Sequence, residues 1–251
     1  MTDSFDRLVA EGAAVPVEGW DFSWFDGRAT EERPPWGYAA LMGERMATVA
    51  SALDIETGGG EVLATVQLPP ELLVATESWP PNVAVAHQRL APLGAHVVAV
   101  ADAPALPFVS GAFDLVVSRH PVVTLWGEIA RVLRPGGTYL SQQIGAGTNR
   151  ELTDFMMGPH PVSQRRSVES LRASAEEAGL EVVDLRSAAL RVAFYDVAAV
   201  VHFLRKVRWT VPDFSVRHYD QRLRAMHEHI DREGAFVSTA QRVLLEARKP
   251  A

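Results

Sequence analysis

The chain reads as an α/β protein built on a mainly parallel sheet, and three observations carry that expectation. From Ala52 onward short apolar runs alternate with helix-length segments, the order in which strands and crossover helices follow one another. With 251 residues, 47% of them apolar and 22% charged, the chain is long enough for one large α/β domain and too hydrophobic for disorder. Three glycines close the first of these strands, where such folds turn the chain toward a ligand.

The elements are expected in this order. The first fifty residues crowd Trp20, Phe22, Trp24, Phe25, Trp36 and Tyr38 among charges and prolines with little periodicity, so residues 1–37 are read as an aromatic cover. A helical stripe of Ala39, Leu41, Met42, Met46 and Val49 predicts a helix over Tyr38–Ser51. Strands follow at Ala52–Ile55, Leu72–Thr76, His96–Ala101, Phe113–Val117 and Thr138–Gln142, linked by helices over Gly60–Val66, Asn82–Ala91 and Val122–Leu133. Pro135-Gly136-Gly137 turns the chain into the fifth strand, Met156–Pro161 marks a loop, and a helix over Ser167–Ala178 stops at Gly179. Leu180–Ala193 reads as a strand, Tyr195–Val207 and Val216–Glu233 as helices, and Ala235–Ala247 alternates as a closing strand. The expected organisation is one domain, with residues 38–193 and 234–251 as the sheet core and 194–233 as a helical lid insert.

Composition excludes several chemistries. With no cysteine there is no disulfide scaffold, thiolate zinc site, iron–sulfur cluster or cysteine nucleophile. The acidic start Met1–Arg7 lacks the pattern of a secretory signal, and the apolar stretch Leu190–Leu204 is broken by Arg191, Asp196 and His202, so a cytoplasmic protein without a membrane span is expected. The net charge of -7 argues against a chain-wide grip on nucleic acid. It is unevenly spread: residues 1–160 carry 9 basic and 19 acidic side chains, residues 161–251 carry 15 and 12. An anionic partner is therefore sought at the insert, on His202, Arg205, Lys206, Arg208, Trp209, Arg217, His218 and Tyr219.

The first predicted strand ends in Leu53-Asp54-Ile55-Glu56-Thr57-Gly58-Gly59-Gly60, where a following helix N-terminus would offer unpaired N–H groups. The second ends at Glu77, seventeen positions after Gly60, and a carboxylate there is an acceptor-only group that matches a ribose diol. After the third come Asp102, which can accept from an exocyclic amine, and Leu106 and Phe108, which can sandwich a purine. The fingerprint Gly-x-Gly-x-x-Gly cannot be placed, because the glycines are consecutive and position 63 is Leu63, so hydride transfer is disfavoured.

These landmarks, with Phe113-Asp114-Leu115-Val116-Val117 and the phrase Glu128-Ile129-Ala130-Arg131-Val132-Leu133-Arg134-Pro135-Gly136-Gly137, resemble the class I S-adenosylmethionine-dependent methyltransferases of the small type 11 kind over roughly Ala52–Gln142. The resemblance implies a doubly wound, Rossmann-like, seven-stranded sheet with an antiparallel last strand and helices on both faces. It implies S-adenosyl-L-methionine as cofactor, held by Asp54, Glu56, Thr57, Gly58, Gly60, Glu77, Ser78, Asp102, Ala103 and Ser118. The family has glycine where this chain has Glu56, so positive φ there would strain the backbone and bear on cofactor binding.

Methyl transfer from a sulfonium needs alignment and, for a poorly acidic acceptor, a base. His120, in Ser118-Arg119-His120-Pro121 after the fourth strand, is the candidate base or orienting group, with helix capping as its alternative. That tetrapeptide differs from the Pro-Pro-aromatic motif of nucleic-acid amino-methyltransferases, and no carboxylate follows until Glu128, which argues against a metal-assisted site. Arg28 and Arg33, with Trp24, Trp36 and Tyr38, are expected to fold over the cofactor, while Trp20 and Phe22 pack. A small-molecule acceptor is the leading expectation, with an RNA acceptor or binding without catalysis as alternatives.

Overall fold

Period-two and three-four apolar spacings build the elements of the computed structural model, which describes residues 4–17, 22–100 and 105–251. In chain order they are α1 (Ser4–Ala14), β1 (Ala29–Glu31), α2 (Tyr38–Met46), β2 (Ser51–Ile55), β3 (Leu72–Glu77), α3 (Pro80–Leu90), β4 (His96–Ala99) and β5 (Phe113–Arg119). They continue as α4 (Trp126–Val132), β6 (Leu133–Ile144), α5 (Arg150–Met157), α6 (Val168–Glu177), β7 (Glu181–Phe194), α7 (Val197–Lys206), α8 (Asp220–Glu233) and β8 (Phe236–Arg248). The strands pair in the order β1-β7-β8-β6-β5-β2-β3-β4. Pairing is parallel from β6 through β4, and β8 runs antiparallel to β6. The expected α/β class with an antiparallel last strand is thus observed, with β1 as an eighth, three-residue strand.

The chain divides into two compact units. The larger comprises Pro34–Ala146, Gln164–Ala188 and Arg242–Ala251. Its parallel strands are buried on both faces, so their sequences are nearly continuous apolar runs. Leu53, Val74, Val116 and Tyr139 point to one side, against Ile129 and Val132 of α4 and Leu171 and Ala175 of α6. Their neighbours Ala52, Leu73, Leu115 and Leu140 point to the other, against Met42 and Met46 of α2 and Ala86 and Leu90 of α3. Helices therefore cover both faces. The chain passes from β2 through β3 to β4 on one side and returns to β5 on the other, which places a topological switch between β2 and β5.

The structure corrects several element assignments. No α-helix follows the glycine loop, where Leu63–Thr65 form a single 3-10 turn instead of the expected Gly60–Val66 helix. Val66 is already extended, and Pro69 and Pro70 lack the N–H groups a helix would need. Helix α4 starts four residues later than expected, at Trp126, and ahead of it a carboxylate of Glu56 accepts the N–H of Val122. Helix α5 occupies part of the segment read as a loop and buries Met156.

The smaller unit comprises Met1–Arg33, Gly147–Ser163 and Ala189–Gln241. Within it α1, hidden in a stretch read as aromatic and irregular, buries Phe5, Val9 and Gly12 at helical spacing. Gly12 lies so close to α7 that a Cβ there would overlap the carbonyl oxygen of Ala198. Arg28 is held by Glu11 and by Asp196 at 3.1 Å, with its guanidinium 4.6 Å from the Trp24 ring centre. Among the described residues, no helix is long and apolar enough to cross a membrane.

The close approach at Gly12 predicts that Gly12→Ala destabilises the protein by about 1–3 kcal/mol through overpacking, despite alanine's better helix propensity. Urea unfolding checks this, and an unchanged or raised midpoint would show that the helices can separate at little cost.

Candidate active site

The carboxyl ends of β2, β3, β5 and β6 bring most of the expected site residues to one edge of the larger unit's sheet. Asp54 is the penultimate residue of β2 and is buried. Beyond it φ is positive at Glu56 (56°), Gly58 (64°) and Gly60 (78°), and the N–H of Thr57 ties the loop to Thr76 O of β3 at 2.9 Å. A Cβ at Gly60 would come within 2.9 Å of Leu90 Cγ, so the loop sits tight on α3. Glu56 is not glycine, and holding it in the left-handed region costs roughly 1–3 kcal/mol. Its carboxylate accepts the N–H of Val122 at 2.7 Å, which joins the loop after β2 to the loop after β5 across the switch point.

Glu77 ends β3 and is buried. Its Oε1 accepts the N–H groups of Ser78 (2.9 Å) and Trp79 (2.8 Å), while Oε2 accepts no hydrogen bond among the described residues. Beside it a recess of about 310 Å³ is lined by Ser78, Pro80, Val83, Ala84, His87 and Ala99. Asp102 and Ala103, expected on the adenine side, lie outside the described residues.

Burial pushes the Asp54 carboxyl up to about 7, with Glu77 adding to the shift and Thr57 opposing it. The carboxyl is therefore poised to ionise near neutral pH, and a cation placed beside it would favour the charged form.

On the other bank Ser118 is buried, and its side chain is engaged within the protein. Its Oγ lies 2.8 Å from Tyr139 Oη and 2.9 Å from Ser141 Oγ, and its carbonyl accepts from Tyr38 Oη at 2.9 Å. Burial pushes the Tyr139 phenol up to about 12 and raises that of Tyr38, so both stay protonated at neutral pH. His120 follows at φ 55°, held by its N–H to Gln142 O at 2.7 Å. Gln142 Nε2 lies 2.8 Å from His120 Nε2, and Gln142 Oε1 accepts from Trp36 Nε1 at 2.8 Å.

Other expected partners are elsewhere. Arg28 is consumed within the smaller unit, and Arg33 is exposed. His202 of α7 is buried, stacked 4.9 Å from Phe25, and pushed down to about 4 by burial and by Lys206 and Arg205. Lys206 is also buried, and Arg205 donates to the carbonyls of Gly12 and Val15. These three residues of the expected anion-binding insert therefore serve packing. Arg208, Trp209, Arg217 and His218 are exposed. A second recess of about 290 Å³ lies by Arg45, Asp114 and Arg134, where Arg45 pairs with Glu246 at 2.9 Å and Arg134 with Asp114.

The residues that the sequence left unmarked are Gln142, Arg166 and Arg242. The one available signal was the polar run Ser141-Gln142-Gln143 ending an otherwise apolar strand.

Asp54 makes stability depend on pH. A carboxyl whose folded pKa is raised contributes no penalty below about pH 4, and stability is lost as pH rises through about 7. Asp54→Asn should therefore gain about 3 kcal/mol over the wild type between pH 4.5 and 8, at roughly 1.4 kcal/mol per pKa unit. Urea unfolding of both proteins at the two pH values reads this directly, and a pH-independent difference would place the titration elsewhere.

Comparison with known proteins agrees with this geometry. The family described as "Methyltransferase domain" matches residues 53–141. A curated relative, the biotin biosynthesis bifunctional protein BioHC of Teredinibacter turnerae, is 33% identical over 116 residues, which cover 43% of this chain and 20% of the relative. This chain thus matches about a fifth of that relative's length. A methyltransferase candidate from Bacillus halodurans superposes with TM-score 0.59 and 19% identity over 84% of this chain and 98% of that one. Phosphoethanolamine N-methyltransferase 2 of Haemonchus contortus, solved with phosphomonomethylethanolamine and S-adenosylhomocysteine, gives 0.52 and 20% over 86% and 53%. The likeness to a methyltransferase domain thus rests on residues 53–141, which hold the glycine loop and the β3 carboxylate, and the solved structures share the fold.

Proposed function

We propose that the protein transfers a methyl group from S-adenosylmethionine to a small-molecule acceptor. The observation that carries this reading is Glu77, a buried carboxylate at the tip of β3 with one oxygen fixed by its own backbone and the other open. With one oxygen held by two backbone N–H groups, the carboxylate is oriented before a ligand arrives, and its open oxygen is an acceptor-only group that suits a ribose hydroxyl. Asp54, ionisable near neutral pH beside the glycine loop, suits the cationic part of the same cofactor, and the recess by Val83, Ala84 and Ala99 suits its apolar ring edge.

The bound cofactor would supply a methyl group already activated by its sulfonium charge. The chain's residues then bind, orient and exclude water. Glu77 fixes the sugar, the tight loop from Glu56 to Gly60 brings backbone close to the ligand, and Trp36 and Tyr38 seal the far bank. A small acceptor is favoured over RNA because burial of His202 and Lys206 and capping by Arg205 remove much of the basic surface that an RNA would need.

Calorimetric titration with S-adenosylmethionine tests the reading. Glu77→Ala should weaken binding about 10- to 100-fold, the range for a lost charged hydrogen-bond acceptor. No binding to the folded wild type would overturn the proposal, and unchanged affinity in the variant would remove Glu77 from it.

A further inference from the structure

Trp36, Gln142 and His120 form a relay whose chemistry fixes the tautomer of the histidine. An indole nitrogen only donates, so the Gln142 atom 2.8 Å from Trp36 Nε1 is the amide oxygen. The other end of that amide, an NH2 group, therefore faces His120 Nε2 at 2.8 Å. An NH2 group also only donates, so Nε2 accepts and the proton of the neutral ring sits on Nδ1. Protonating Nε2 as well would set one N–H against another.

The surroundings hold the ring neutral. Burial first, then Arg119, Arg242 and Arg166, keep the imidazole well below its usual range. These arginines come from different elements at the same strand edge. Arg119 ends β5, Arg242 lies opposite Ile144 at the start of β8's pairing with β6, and Arg166 Nη2 donates to Val122 O at 2.9 Å. The carboxylate on this loop is that of Glu56, bonded to the N–H of Val122. His120 Nδ1 makes no hydrogen bond to a described residue.

Two consequences follow for a ligand at this edge. Nε2 is occupied and cannot take a proton without breaking the relay, so the expectation that His120 is a general base gives way to that of a donor. A donor among three guanidinium groups is matched by an acceptor-only group with negative charge. We propose that His120 Nδ1–H, in the positive field of Arg119, Arg166 and Arg242, binds an oxyanion carried by the methyl acceptor, a carboxylate or a phosphate, and that Trp36 and Gln142 are its positioning residues. That the oxyanion belongs to a methyl acceptor rests on the methyltransferase reading, whereas the donor tautomer and the anion site do not.

The test is 15N NMR of the His120 ring in the full chain without cofactor, with sodium acetate and inorganic phosphate as probes. The expected wild-type spectrum shows a neutral ring protonated on Nδ1 and no titration near pH 6.5. One or both probes should shift Nδ1 saturably at millimolar concentration, and Arg166→Gln should weaken that response at least tenfold. Gln142→Glu replaces the NH2 donor by an acceptor, so His120 should become protonated on Nε2 and titrate above its usual value. A merely structural Gln142 would leave the tautomer unchanged. Should that variant fail to fold, Trp36→Phe frees the amide to turn over and should yield a mixture of tautomers. A wild-type ring protonated on Nε2, or a ring blind to both probes, overturns the inference. Calorimetry with S-adenosylmethionine separates the two claims: cofactor binding with a blind ring leaves the methyltransferase reading and removes this one, and an anion response without cofactor binding does the reverse.

Discussion

Ser118 Oγ, Tyr139 Oη, Ser141 Oγ and the amide of Gln143 meet where β5 and β6 end, all of them buried and linked by bonds of 2.8–3.3 Å. A buried polar atom left without a partner costs about 1–3 kcal/mol, so this layer is stable only if each member finds its neighbour. The constraint reaches beyond the strands. Tyr38 must bring its hydroxyl to Ser118 O and Trp36 its indole to Gln142, which fixes the start of α2 against the strand ends. The same bonds set His120, because the amide that receives the indole is the one that faces the imidazole. Positions that look like separate packing and binding residues are thus one connected arrangement.

The sheet was legible because its central strands are buried on both faces, so Leu53, Val74, Val116 and Leu140 sit in apolar runs that no surface helix would carry. The helix expected after Gly60 was not, since the apolar content of Val62, Leu63 and Val66 fits one turn as well as a helix, and the prolines that decide between them follow later. Helix α1 escaped because only Phe5 and Val9 of its buried stripe are large, while the third contact is the absent side chain of Gly12. At the site, Asp54 and Glu77 were readable from their order along the chain, as strand tips converge by topology. The Trp36–Gln142 bond joins residues 106 apart, and nothing local to either predicts the other.

Glu56 shows how a departure from the expected glycine is accommodated. Its φ of 56° is unfavourable for a side chain, yet the carboxylate that brings the strain also accepts the Val122 N–H, a charge-assisted bond worth about 1.5–3 kcal/mol. The two magnitudes are comparable. The strained position persists because its side chain ties together the two loops that flank the topological switch, which a glycine could not do.

Along the strand edge the fixed charges change sign. Asp54, Glu56 and Glu77 follow β2 and β3, whereas Arg119, Arg166 and Arg242 gather where β5, β6 and β8 meet. A cation and an anion brought to this edge can lie side by side in only one order, because the reverse order sets like charges together on both banks. Each bank also responds to its ligand: a cation draws Asp54 toward ionisation, and an anion relieves the repulsion that the arginines exert on the imidazole. Between them His120 is neutral, so it adds direction without adding charge. A protonated histidine there would have been a fourth positive group, attractive to an anion but indifferent to its angle. The Trp36–Gln142 relay instead makes the contact a single donor along one line, and orientation is what an in-line displacement demands of its protein.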